Sequence, residues 1–76
     1  MKSKTLIVKL PTQFLAFFKF IFEGYDHLVS LTVIDPKEAK VKIAYFYKNE
    51  ELVFEILEGL KTEEKIPVFI QRSLET

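Results

Sequence analysis

The single histidine of the chain, His27, is the natural place to look for chemistry. It follows Gly24-Tyr25-Asp26, so Asp26 or Glu23 could orient it for acid–base work. A lone histidine in a glycine-led turn reads far better as an exposed turn residue, and nothing nearby supplies a nucleophile. The hydroxyls are Ser3, Ser30 and Ser73 with Thr5, Thr12, Thr32, Thr62 and Thr76. Ser30 and Thr32 alternate along a β-rich run, with no base set beside them. The carboxylate pairs Glu50-Glu51 and Glu63-Glu64 are adjacent in sequence, and adjacent residues diverge on a helix or strand. They read as solvated helix ends.

There are no cysteines, which excludes disulfides, thiolate metal sites and cysteine nucleophiles. One histidine without cysteine does not make a zinc site. No HExxH, P-loop, GxGxxG or GxSxG pattern occurs. The expectation is a protein that is not an enzyme, with no catalytic, cofactor-binding or metal-ligating residues.

The 76 residues suffice for one domain, residues 1–76, near the lower size limit for folding without staples. Its core must come from apolar packing, and 49% hydrophobic residues with eight Phe supply it. Charges balance at 11 basic and 11 acidic, so there is no bulk attraction to nucleic acid or anionic membrane, although a local patch is compatible with neutrality. Lys and Glu dominate the charges, and Asn and Gln are few, a thermophile-like composition. Lys2 and Lys4 precede only a short apolar run, Leu6–Val8, too little for a signal peptide. The longest apolar run falls far short of the roughly 20 residues that span a bilayer. A cytoplasmic protein without membrane contact is expected.

The elements that would position these groups follow from periodicity. Thr5–Leu10 is β-rich and stops at Pro11. Pro11 or Thr12 opens a helix to about Glu23, and Gly24 is placed to end it with a positive φ. Leu28–Ile34 and Lys40–Tyr47 alternate as strands around the turn at Asp35-Pro36, which predicts an antiparallel hairpin. The second of these should turn Val41, Ile43, Tyr45 and Tyr47 to one face. Asn49 should cap a second helix running to Leu60–Thr62. Ile66–Gln71 reads as a last strand, and Pro67 makes it an edge. The order strand, helix, strand, strand, helix, strand predicts an α+β, ferredoxin-like βαββαβ sandwich: a four-stranded antiparallel sheet with two helices on one face.

The first helix holds Phe14–Phe22, FLAFFKFIF, with eight apolar residues of nine. At 100° per residue, Phe14, Phe18, Ile21 and Tyr25 should meet the sheet. Leu15 and Phe22 flank them on one side, Phe17 on the other, with Phe20 beyond. The apolar arc is about 220° wide, more than the roughly 100–140° that would serve a helix on one sheet. Phe17 and Phe20 are therefore the expected association surface, and self-association as a homodimer is expected. The face of the sheet away from the helices should carry Thr5, Ile7, Lys9, Ser30, Thr32, Ile34, Lys42, Ala44 and Phe46. Lys9, Lys42 and Phe46 are its candidate binding residues for an alternative function, an RNA-binding domain using that open face. The glycine-free strand KVKIAYFY departs from the RRM pattern K/R-G-F/Y-G/A-F-V-x-F/Y, so nucleic acid is the less expected partner.

The run Phe22-Glu23-Gly24-Tyr25-Asp26-His27-Leu28, followed by Thr32-Val33-Ile34-Asp35-Pro36, resembles a small uncharacterised bacterial family, the domain of unknown function numbered 4911. That resemblance implies no catalytic residues. The fold is also similar to ACT domains, regulatory modules that pair side by side and bind amino acids at the interface. It implies a regulatory homodimer with a small-molecule ligand. ACT domains usually carry a glycine after the first strand, where this chain has Leu10-Pro11-Thr12-Gln13.

Overall fold

The computed structural model describes residues 3–75; Lys2 and Thr76 lie outside the described residues. The four strands are β1 (Ser3–Lys9), β2 (Val29–Asp35), β3 (Lys40–Phe46) and β4 (Phe69–Glu75). The helices are α1 (Leu15–Glu23) and α2 (Glu50–Thr62), each entered through a short 3₁₀ turn, Thr12–Phe14 and Tyr47–Asn49. The sheet is antiparallel throughout in the order β2-β3-β1-β4, the ferredoxin-like βαββαβ arrangement that the element order predicts.

Alternation decides which side of each strand is buried. Leu6 and Val8 of β1 and Val41, Ile43 and Tyr45 of β3 turn inward, where they join Phe18 and Phe22 of α1 and Val53, Leu57 and Leu60 of α2 in one core. Phe18 and Phe22 pack with their rings tilted by 43° and 4.8 Å between centroids. Leu10, Ala39, Ile66 and Val68 close that core from the connecting segments. Both helices thus cover one face of the sheet.

Several local expectations are corrected. The centre of α1 is Phe18 and Phe22, both buried, while Phe14, Ile21 and Tyr25 are half-buried. Phe14 belongs to the 3₁₀ turn and Tyr25 lies past the helix. Only Leu15–Glu23 keep the 100° phase, and within that span the i, i+4 pair Phe18/Phe22 takes the middle of the face. Gly24 has φ −66°, not a positive angle. The chain leaves α1 through successive tight turns, with Gly24 N–H donating to Ile21 O (3.2 Å), Tyr25 N–H to Phe22 O (2.9 Å) and Leu28 N–H to Tyr25 O (2.8 Å). A Cβ on Gly24 would lie 3.3 Å from Ile21 O, so close approach is what suits glycine there. The left-handed positions are Ala39 (φ 52°) and Lys65 (φ 56°).

Asn49 precedes α2 but its side chain makes no capping bond; its Nδ2 donates instead to Leu28 O at 3.3 Å, tying the helix start to the entrance of β2. Tyr47 is not in β3, which ends at Phe46 as the chain turns into the 3₁₀ segment, and it is exposed. The last strand begins at Phe69, later than expected. Ile66 and Val68 are buried before it, and Pro67 sits outside the sheet's hydrogen bonding. β4 is nevertheless an edge.

Candidate functional site

Each residue with potential chemistry has a definite place. His27 is exposed in the turn between α1 and β2, beside exposed Asp26 and Glu23, and its side chain makes no hydrogen bond among the described residues. Ser30 and Thr32 lie on the exposed face of β2. Glu63 and Glu64 are exposed after α2. Ser30 shares a hollow with Glu23 and Asp26, but among the described residues its hydroxyl makes no hydrogen bond to either. Among the described residues no group of three or more His, Cys, Asp or Glu side chains could hold a metal ion.

Glu50 has a structural task. At the start of α2 its Oε1 accepts from Lys4 Nζ at 2.9 Å and from the Tyr45 hydroxyl at 3.2 Å. The Lys4 bond, helped by the tyrosine, holds the Glu50 carboxyl below the usual carboxylate range against the desolvation that would raise it. Burial, then the neighbouring Glu50 charge and its hydrogen bond, push the Tyr45 hydroxyl up from 10.0 to about 12. A carboxylate at a helix N-terminus also meets the positive end of the helix dipole. This group joins β1, β3 and α2.

The loop after β1 is filled rather than open. Leu10 is buried and its N–H donates to Ala39 O at 3.3 Å. A ligand held by backbone N–H groups there would have to compete with that bond.

Two surfaces remain. The first is on the helix layer. Phe22 and Glu23 line a hollow with Asp26, Val29, Ser30 and Leu31, so that flank of α1 faces the β2 edge. Phe17 lies on the other flank of the helix, about 100° from Phe18 and about 140° from Phe22, and is 37% exposed. Phe20 points away from the sheet, about 160° around the helix from the buried pair, and is 70% exposed. Phe54 of α2 is also exposed, above a shallow groove lined by Glu50, Glu51, Glu55 and Glu58.

The second surface is the open face of the sheet, and here register matters. Lys9 faces Lys40 on β3 and Phe69 on β4; Ile7 faces Lys42 and Arg72; Thr5 faces Ala44 and Leu74; Ser3 faces Phe46. β2 continues these rows, with Asp35 opposite Lys40, Thr32 opposite Lys42 and Ser30 opposite Ala44. Lys9, Lys42 and Phe46 therefore share a face, as the alternation predicts. Lys40, Arg72 and Phe69 share it too and were not singled out in the sequence. Lys40 was foreseeable, since it is two residues from Lys42 in the same strand. Arg72 and Phe69 were not, because a bulge in the β1–β4 pairing, opposite Ile7 and Val8, shifts the alternation within β4.

Phe46 packs against Tyr47 at 4.8 Å between centroids. The Lys9 ammonium donates to Glu38 Oε1 at 2.9 Å, whereas Lys40, Lys42 and Arg72 make no ion pair among the described residues. A neutral chain thus has a basic sheet face and an acidic α2.

No helix is long and apolar enough to cross a membrane. Comparison with protein families matches residues 8–63 to a domain of unknown function, DUF4911. No curated protein matches the chain, and no solved structure matches it.

Proposed function

The chain belongs to the DUF4911 family, and we propose that it is a non-enzymatic, cytoplasmic interaction module that works as a homodimer through Phe17 and Phe20. The observation that carries this reading is Phe20, whose ring projects from the outer pole of α1 with 70% of its surface in water. Nothing in folding the monomer calls for a phenylalanine there. Covering it against a second copy removes that apolar surface from water, the general driving force of association. Phe17, three residues earlier on α1, is the surface neighbour of Phe20 and extends the patch along the helix.

A regulatory role of the ACT-like kind, with a small ligand held between protomers, is part of the same reading. The buried Leu10 and its engaged N–H argue that such a ligand would not use the loop after β1. Light scattering at micromolar concentration tests the dimer: twice the 8.9 kDa chain mass is expected, and a clean monomer overturns it. A thermal-shift screen with amino acids and nucleotides tests the ligand. A raised midpoint supports a regulatory role, and no shift with any of them leaves a purely structural dimer.

A further inference from the structure

We propose that the open face of the sheet binds single-stranded nucleic acid, with Lys40, Lys42 and Arg72 meeting phosphates and Phe46 and Phe69 stacking on bases. The first argument is the placement of charge. Lys9 and Lys40 are directly opposed across β1 and β3, and like charges in that position disfavour the pairing. Lys42 and Arg72 then flank Ile7 in the next row. Asp35 faces Lys40 and Glu38 holds Lys9, but no carboxylate is placed on the rows of Ile7, Thr5 and Ser3. Folding gains nothing from gathering cations on this face, whereas an anionic ligand does.

The second argument is what accompanies the charge. Phe69 is 63% exposed in the row of Lys9, and Phe46 stands in the row of Ser3 at the other end of the sheet. Those rows are six residues apart along β1, about 20 Å at 3.4 Å per residue. Between the two aromatics lie the cations, the apolar Ile7 and Leu74, and the small side chains Thr5, Thr32 and Ala44. A cationic track with an aromatic at each end, Phe69 exposed and Phe46 half-buried against Tyr47, suits a strand whose bases are free to stack. A duplex hides its base faces, and a flat sheet face this wide does not enter a groove as a helix or two-stranded ribbon does. An anionic membrane would answer to the cations but would make no use of two rings so far apart.

The surface is separate from the proposed dimer contact, because Phe17 and Phe20 lie on the helix layer on the other side of the sheet. The whole protein is titrated into a fluorescein-labelled oligouridine of about 12 nucleotides, read by anisotropy between about 50 and 200 mM salt. Three phosphate contacts give a slope of log affinity against log salt near −2, a loss of roughly 15-fold across that range. The double variant Lys42→Glu/Arg72→Glu should abolish binding. Phe69→Ala should weaken it by roughly 5-fold or more without changing the slope. All three side chains are exposed, and unchanged circular-dichroism melts verify the fold; if the double variant melts early, Lys42→Gln with a flatter slope is the readout. Phe20→Glu should leave the affinity of each protomer unchanged, which separates this proposal from the dimer. The proposal is overturned by no binding at about 100 μM protein, the weak end of non-specific affinity. Equal binding to a duplex, retained binding in the double variant, or binding to phosphatidylglycerol vesicles but not to RNA would overturn it too.

Discussion

Two phenylalanines two positions apart on α1 should respond oppositely to substitution. Phe22 is 1% exposed and Phe20 is 70% exposed. Replacing Phe22 with alanine removes a ring from the centre of the core and leaves a cavity, at a cost of about 3–5 kcal/mol. For a chain of this length each kcal/mol lowers Tm by roughly 4–8 °C, so Phe22→Ala should lower it by at least about 12 °C at any protein concentration. Phe20→Glu should leave the monomer within about 0.5 kcal/mol of the parent.

Its effect should fall on association instead. A phenylalanine side chain offers roughly 200 Å², so the exposed part of Phe20 amounts to about 140 Å² in each copy. With Phe17 the pair of protomers would cover about 430 Å², or about 10 kcal/mol at 25 cal/mol per Å² if burial were complete. Association costs about 4–15 kcal/mol, so the balance is narrow and Phe20, with about two thirds of that area, decides it. Light scattering and thermal melts over a range of concentrations provide the assay. The parent should weigh two chains and melt higher when concentrated; Phe20→Glu should weigh one chain and melt at the dilute-limit value of the parent. A Phe20→Glu melt as low as that of Phe22→Ala, in the dilute limit, would show that Phe20 packs within its own chain and would refute the reasoning.

Three other outcomes follow from local geometry. Titration of phenolate absorbance should show a step near pH 12 that is lost in Tyr45→Phe. Because the folded hydroxyl is raised above its unfolded value of 10.0, this contribution to stability is complete below about pH 10 and disappears as pH rises toward 12. Denaturant unfolding at those two pH values should show the parent losing more than Tyr45→Phe. Lys65→Gly should raise stability by about 0.5 kcal/mol or more, since an exposed non-glycine residue at φ 56° is strained by about 1–2 kcal/mol and glycine returns part of that gain through the unfolded chain; an unchanged denaturation midpoint would count against it. The exposed Lys9–Glu38 pair should contribute no more than about 1 kcal/mol, and Lys9→Gln should cost less still in high salt, as a melt in each condition would reveal.

Periodicity and breakers were enough to place every strand and helix in order, because each buries one face and its apolar positions repeat at two or at 3.6 residues. The alternation in β1 and β3 placed Lys9, Lys42 and Phe46 on one side, and the width of the apolar arc on α1 singled out Phe17 and Phe20. The absence of cysteine excluded disulfides and thiolate chemistry from the outset. Pairing and phase were decided only in three dimensions. The 3₁₀ turn at Thr12–Phe14 reset the helix and moved Phe22 into the core. The bulge opposite Ile7 and Val8 brought Arg72 and Phe69 beside the lysines. Positive φ fell to Ala39 and Lys65 rather than to either glycine, since the closing geometry of a turn depends on the elements it joins. Strand partners come from distant parts of the chain, so a patch built across four strands becomes visible only when the sheet is assembled.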